Sequence, residues 1–264
     1  MLISVLLMLS TGLGAQNFTY DWDVLPVDGS RTAVTAYDMG HMKGKKFITP
    51  DGRKIKKGTA PKVARIMLEA QDAMAEVKEV VGYSTEEMVR RRPESGISNM
   101  IIDVMMDYMR DKYGKPVDVG IYNYGGIRVD MPKGNIIRDD IMSMLPFTNS
   151  PVWLALKGSE IRSWFEYMAE HSMQVVGGAR LVVKDHKLVE ATIGGEPIDD
   201  NKVYGLVTID FLLNGGDGLS LARNAKEMIT DELLARDVLL QYVKGLTAAG
   251  KNVEYKTDGR VVFL

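Results

Sequence analysis

Between residues 61 and 264 the period of the apolar residues changes again and again, and this constrains the fold more than any other feature of the sequence. Val63, Ile66, Met67, Ala70, Met74, Val77 and Val81 recur every three or four residues. That spacing predicts an amphipathic helix over 61–81, with Pro61 in its first turn and Gly82 as its stop. A second helix is predicted from an N-cap at Ser95 to Tyr113, ended by Gly114 and Pro116. Strands are predicted at 117–122, 152–156, 180–183, 188–193 and 202–212, with helices at 160–169 and 231–246. The last segment, 253–264, reads as a hairpin turning at Asp258-Gly259. Strands and helices mixed in this way, without a strict βαβ alternation, predict an α+β fold: a mixed β-sheet packed with helices, in one main domain over 61–264.

A chain of 264 residues, 45% hydrophobic and 26% charged, is long enough to bury a sizeable core without disulfides. It has no cysteine, which excludes thiolate catalysis and cysteine metal sites. Its three histidines, His41, His171 and His186, are far apart in sequence and restrict any histidine-built metal centre. Thirty-three basic residues against 35 acidic ones leave no global basic field for nucleic acid or an anionic membrane.

Residues 2–9 (LISVLLML) are apolar and are followed by small residues up to Ala15, so 1–15 reads as a signal peptide and the protein as exported, in the periplasm. A buried first strand or helix is the alternative. No apolar stretch reaches the roughly 20 residues that a membrane-spanning helix needs. Residues 16–60 form an N-terminal extension. Within it, 43–58 is basic and turn-rich around Pro50-Asp51-Gly52, which reads as a surface hairpin.

Phosphate-binding loops, serine elbows and paired-histidine zinc motifs are all missing. Three loop segments carry the candidate chemistry. Asn123-Tyr124-Gly125-Gly126-Ile127-Arg128 follows a predicted strand, and its glycines allow close approach of the backbone to a ligand. Asn123 can both donate and accept hydrogen bonds, and Arg128 offers a planar fork of donors. Leu145-Pro146-Phe147-Thr148-Asn149 precedes a strand. The third segment runs from Asp210 and Phe211 through Asn214-Gly215-Gly216-Asp217-Gly218. Phe147 and Phe211 would form a slot for a planar ring, and stacking of this kind is worth about 1–3 kcal/mol per base.

The order NYGGIR, LPFTN, DFLLNGGDG, preceded by Arg91-x-x-Glu94 and Ser98-Asn99-Met100-Ile101-x-Asp103, resembles the C-terminal domain of the 5'-nucleotidase / UDP-sugar hydrolase family over about residues 63–264. The resemblance implies a nucleotide-binding domain. Its stacking aromatics are Phe147 and Phe211, its sugar-hydroxyl carboxylate is Asp217, its arginines are Arg91 and Arg128, and its base-contacting residue is Asn123. Asn149 and the glycines Gly125, Gly126, Gly215 and Gly216 shape the same pocket. Tyr124, Leu219 and Ser98 depart from the family pattern. The family's metallophosphatase motifs are absent, so the resemblance implies that a divalent metal pair and the nucleophile reside on a separate metallophosphatase chain. This chain is then expected to be the recognition half of a hydrolase acting on 5'-phosphate esters, inactive alone. The alternative is a non-catalytic nucleoside- or nucleotide-binding protein.

Overall fold

A computed structural model describes residues 40–70 and 74–264. The chain divides into two compact units, one ending at Glu69 and one running from Ala70 to Leu264.

In the first unit, β1 (His41–Lys43), β2 (Lys46–Ile48) and β3 (Lys54–Ile55) form an antiparallel meander. The basic segment is therefore three strands rather than one hairpin. Met42, Phe47 and Ile55 stand opposite one another across it and make its half-buried row. Helix α1 (Thr59–Glu69) touches β1 and β2 and buries Pro61.

The second unit includes β4 (Val80–Ser84) and α2 (Gly96–Tyr113). Of the helix predicted over 61–81, α1 covers the part up to Glu69, residues 71–73 lie outside the described residues, and the last positions belong to a strand. The β-branched pair Val80-Val81 favours extended backbone, and Val81 is buried where β4 pairs with β6 (Gly134–Ile137). The boundaries of α2 follow from its caps. The Ser95 side chain accepts the Ser98 N–H, and the Ser98 hydroxyl accepts the Ser95 N–H at 2.9 Å. At the other end Gly114 adopts φ 60 and donates to the Arg110 carbonyl.

After α2 come β5 (Val119–Tyr122), α3 (Arg138–Met144), β7 (Pro151–Lys157), α4 (Gly158–Glu170) and β8 (Val175–Gly177). Then follow β9 (Ala179–Lys184), β10 (Lys187–Ile193), β11 (Glu196–Pro197), β12 (Val203–Ile209) and β13 (Glu227–Thr230). Helix α5 (Ala235–Ala248) and β14 (Val261–Phe263) complete the unit. The central sheet has the order β13-β7-β12-β5-β8. A second sheet has the order β11-β10-β9-β14, and α4 packs against both β7 and β10. Both parallel and antiparallel pairs occur in each sheet, as an α+β fold with mixed sheets requires. The close seating of α2 on the central sheet needs glycine at 120, where a Cβ would lie 2.5 Å from Ile102 and 2.7 Å from Met106.

The C-terminal segment is not a hairpin. Val253 bridges to Ser84, whereas β14 pairs in parallel with β9. The residues between them are held by α2 and the turn before it instead of by each other. Glu94 accepts the Gly259 N–H at 2.7 Å, the Asn99 amide donates to the Lys256 carbonyl, and Asp103 receives two hydrogen bonds from the Arg260 guanidinium at 2.8 and 2.9 Å. The helix predicted from 231 starts at Ala235, because Asp231 is used as a buried anchor. It accepts hydrogen bonds from Lys112 at 2.7 Å, Tyr113 at 2.9 Å and the Leu233 N–H at 2.7 Å.

Candidate nucleotide-binding site

The sheet order brings the three candidate loops to one end. β5 and β12 are parallel neighbours, so the loops that follow them leave from the same edge. β7 runs antiparallel to β12 with Pro151 opposite Ile209, so the loop that precedes β7 arrives at that edge too. Backbone hydrogen bonds fasten the loops together. The Asp210 N–H donates to the Ser150 carbonyl at 3.1 Å, and the Arg128 N–H donates to the Met144 carbonyl at 2.9 Å. The Asn149 carbonyl accepts from the Ala235 N–H at 2.9 Å, which ties that loop to the start of α5.

Phe147 and Phe211 remain 47% and 44% exposed. Large aromatic side chains left this open at the mouth of a sheet offer flat apolar faces to a ligand. The Arg128 guanidinium lies over the Phe147 ring, 6.0 Å from its centroid, and donates to the Gly125 carbonyl at 3.2 Å. β12 ends at Ile209 rather than at 212, and a 3-10 turn at Asp210–Leu212 carries Phe211. Gly216 packs directly on that residue, since a Cβ there would be 2.1 Å from the Phe211 carbonyl oxygen and 2.8 Å from its ring. Gly215 at φ 107 and Asp217 at φ 49 turn the chain so that the Asp217 carboxylate is exposed. The far side of this turn rests on α4, where a Cβ at Gly218 would fall 2.1 Å from the Tyr167 hydroxyl.

Asn123 is only 6% exposed, and its Oδ1 is buried without a hydrogen-bond partner. Gly126 closes over it, with room for no side chain: a Cβ would be 2.4 Å from that oxygen. An unpaired buried acceptor costs about 1–3 kcal/mol, so a donor that reached this oxygen would be favoured. Beneath the loop, burial raises the Tyr122 phenol above its ordinary range, with the Asp210 charge adding to the effect, so Tyr122 is a neutral support.

Arg91 lies apart from these residues. It lines a separate groove of about 420 Å³ with Glu86, Glu87 and Lys256. Its two neighbours reach the 123–128 loop instead. Arg90 donates to the Ile127 carbonyl, and Arg92 lies over the Tyr124 ring at 4.1 Å. Gln174 is buried and accepts the Tyr124 N–H at 2.8 Å. Arg90, Arg92, Gln174 and Tyr167 are site neighbours that the sequence does not single out. The run Arg90-Arg91-Arg92 is the signal for the first two, but three adjacent arginines leave open which of them faces the loop. Among the described residues no group of three or more His, Asp or Glu side chains is arranged to hold a metal ion. The divalent metals that the resemblance implies therefore do not fit the described residues.

A mixed sheet of this order, with three loops gathered at one end, is the architecture of a 5'-nucleotidase C-terminal-type fold. The family model described as "5'-nucleotidase, C-terminal domain" matches residues 77–223, and the chain belongs to that family. Among its relatives is an apyrase of Tabanus yao, 32% identical over 154 residues, which are 50% of this chain and 28% of that protein. Protein UshA of Escherichia coli K12 is 28% identical over 151 residues, 54% of this chain and 27% of that one. A 5'-nucleotidase precursor from Thermus thermophilus has the same fold, with a TM-score of 0.69 and 27% identity, covering 83% of this chain and 45% of that chain. This chain thus spans less than half the length of these proteins. No helix among the described residues is long and apolar enough to cross a membrane.

Proposed function

We propose that this chain is the nucleotide-recognition half of a 5'-nucleotidase-type phosphoester hydrolase. The base stacks between Phe147 and Phe211. Asp217 accepts hydrogen bonds from the ribose hydroxyls, Arg128 faces anionic oxygens, and Asn123 Oδ1 accepts an N–H or O–H of the ligand. The observation that carries this reading is a pair of half-exposed phenylalanines, one of them beneath an arginine, on loops that meet the central sheet at the same edge.

In this reading a separate metallophosphatase chain supplies the divalent metal pair and the nucleophile. Water attacks phosphorus, the ester P–O bond breaks, and nucleoside and phosphate leave. The present chain contributes positioning, which can remove several kcal/mol from a barrier. Export to the periplasm completes the reading. A relative named "Cell wall protein Lmo0130" of Listeria monocytogenes, 26% identical over 250 residues, supports a location outside the cytoplasm.

Calorimetric titration with AMP and with adenosine tests the slot. Wild type is expected to bind, and Phe147→Ala and Phe211→Ala are each expected to weaken binding by about 1–3 kcal/mol. Wild-type affinity in both variants would remove the slot from the proposal.

A further inference from the structure

The near-neutral net charge of the chain conceals a strong separation. Residues 40–70 contain nine Lys and Arg against two acidic residues, while the rest of the chain has 24 against 33. All nine basic side chains are exposed, and among the described residues only Arg53 of the nine forms an ion pair, with Asp51. On the meander, Lys43 and Lys46 stand directly opposite each other. Like charges in that arrangement are destabilising in a sheet. Lys54 lies on the same face, in the row of His41 and Ile48. Lys56 and Lys57 follow, and then α1 begins.

Helix α1 adds a second feature. Its buried contact is made through Pro61, whereas Val63 and Ile66, neighbours on one face, are 47% and 65% exposed. Lys62 stands one turn before Ile66 and flanks the same face. A soluble polyanion would use the lysines and leave Val63 and Ile66 without a role. A neutral protein groove would use the two aliphatic residues and leave the lysines unmatched. A bilayer with anionic headgroups uses both, since lysines are drawn to its surface while aliphatic side chains enter the headgroup boundary.

We infer that the first unit, through the basic meander and the Val63–Ile66 face of α1, is a docking surface for an anionic lipid bilayer. The test is sedimentation of the full chain with sucrose-loaded vesicles, either pure phosphatidylcholine or equimolar phosphatidylcholine and phosphatidylglycerol. Binding is expected to be at least about tenfold tighter on the anionic vesicles and to weaken with added salt. The triple variant Lys54→Glu, Lys56→Glu, Lys57→Glu and the single variant Ile66→Asp are each expected to lower anionic-vesicle binding about tenfold. All four positions are solvent-facing, and circular dichroism checks that the variants remain folded. The apolar run at 2–9 is common to every protein compared, so it does not account for a difference between them. Equal partition into the two vesicle types overturns the proposal. An Ile66→Asp variant that partitions like wild type also overturns it, and tight binding of a short DNA duplex would then assign the surface to a soluble polyanion.

Discussion

Asp217 and Asp231 show how differently two carboxylates can be placed in one unit. Asp217 sits exposed on a left-handed residue beside Phe211, with its side chain open to solvent. Asp231 is buried. Burial alone would raise its carboxyl, but hydrogen bonds from Lys112, the Leu233 N–H and Tyr113 outweigh this and hold it below the usual carboxylate range. A carboxylate depressed in the folded state adds stability above its unfolded value of about 3.9 and loses it as pH falls through the folded value. The urea midpoint of the wild type is therefore expected to drop below about pH 4, and Asp231→Asn to flatten that acid limb. Asp231→Ala should cost about 1–3 kcal/mol at neutral pH, because the Tyr113 and Leu233 donors lose their acceptor. A midpoint unchanged by Asp231→Ala would show that the anchor contributes nothing. At this scale the candidate residues stand out in the sequence where a rare type is set among turn residues, as with Phe147 and Phe211, two of only six Phe, and the structure puts both on loops at one end of the central sheet. The candidate site was not readable at Arg90-Arg91-Arg92, where three identical side chains in a row differ only in where the backbone aims them.

Helix α2 was legible to its ends because both caps are local: Ser95 and Ser98 satisfy each other, and Gly114 takes the left-handed turn. Strands such as β4, β6, β8 and β13 are three to five residues long and owe their pairing to distant partners, and the short helix α3 lies among them. Their signals are weaker than those of neighbouring turns. The predicted terminal hairpin failed for a related reason, since Glu94, Asn99 and Asp103 hold residues roughly 160 positions away. Those three residues belong to the stretch that resembles the opening of the family's domain, and in the structure they fasten the C-terminal segment. The seating of α2 gives an element-scale prediction. Gly120→Ala places a methyl 2.5 Å from Ile102, and overpacking of this kind typically costs about 1–3 kcal/mol. Chemical denaturation should show that loss, and full wild-type stability would mean that α2 can lift from the sheet without penalty.

For the molecule as a whole, composition was a poor guide to charge, because opposite signs on residues 40–70 and the remainder cancel in the total. The class of fold was legible from the changing apolar period, but the strand order was not. Strand β5 is flanked by β12 and β8, which follow it by about 80 and 55 residues, and β7 joins it only through the middle strand β12. A chain cut after residue 201 therefore lacks the strand between β5 and β7. It is expected to unfold without a cooperative transition, and a truncated chain that unfolds as cooperatively as the full protein would refute this topology.

The same strand order has a consequence for how the protein is made. β12 joins the strands that carry the three loops, yet it is synthesised about 80 residues after β5 and about 45 after β7. The loops at 123–128 and 145–149 must wait on the ribosome for the strand that aligns them. Non-local closure of this kind is slow relative to helix formation. The three candidate loops are therefore aligned only once β12 has been made, and nascent chains carry the two flanking strands unpaired along the edges that β12 will cover until that strand emerges.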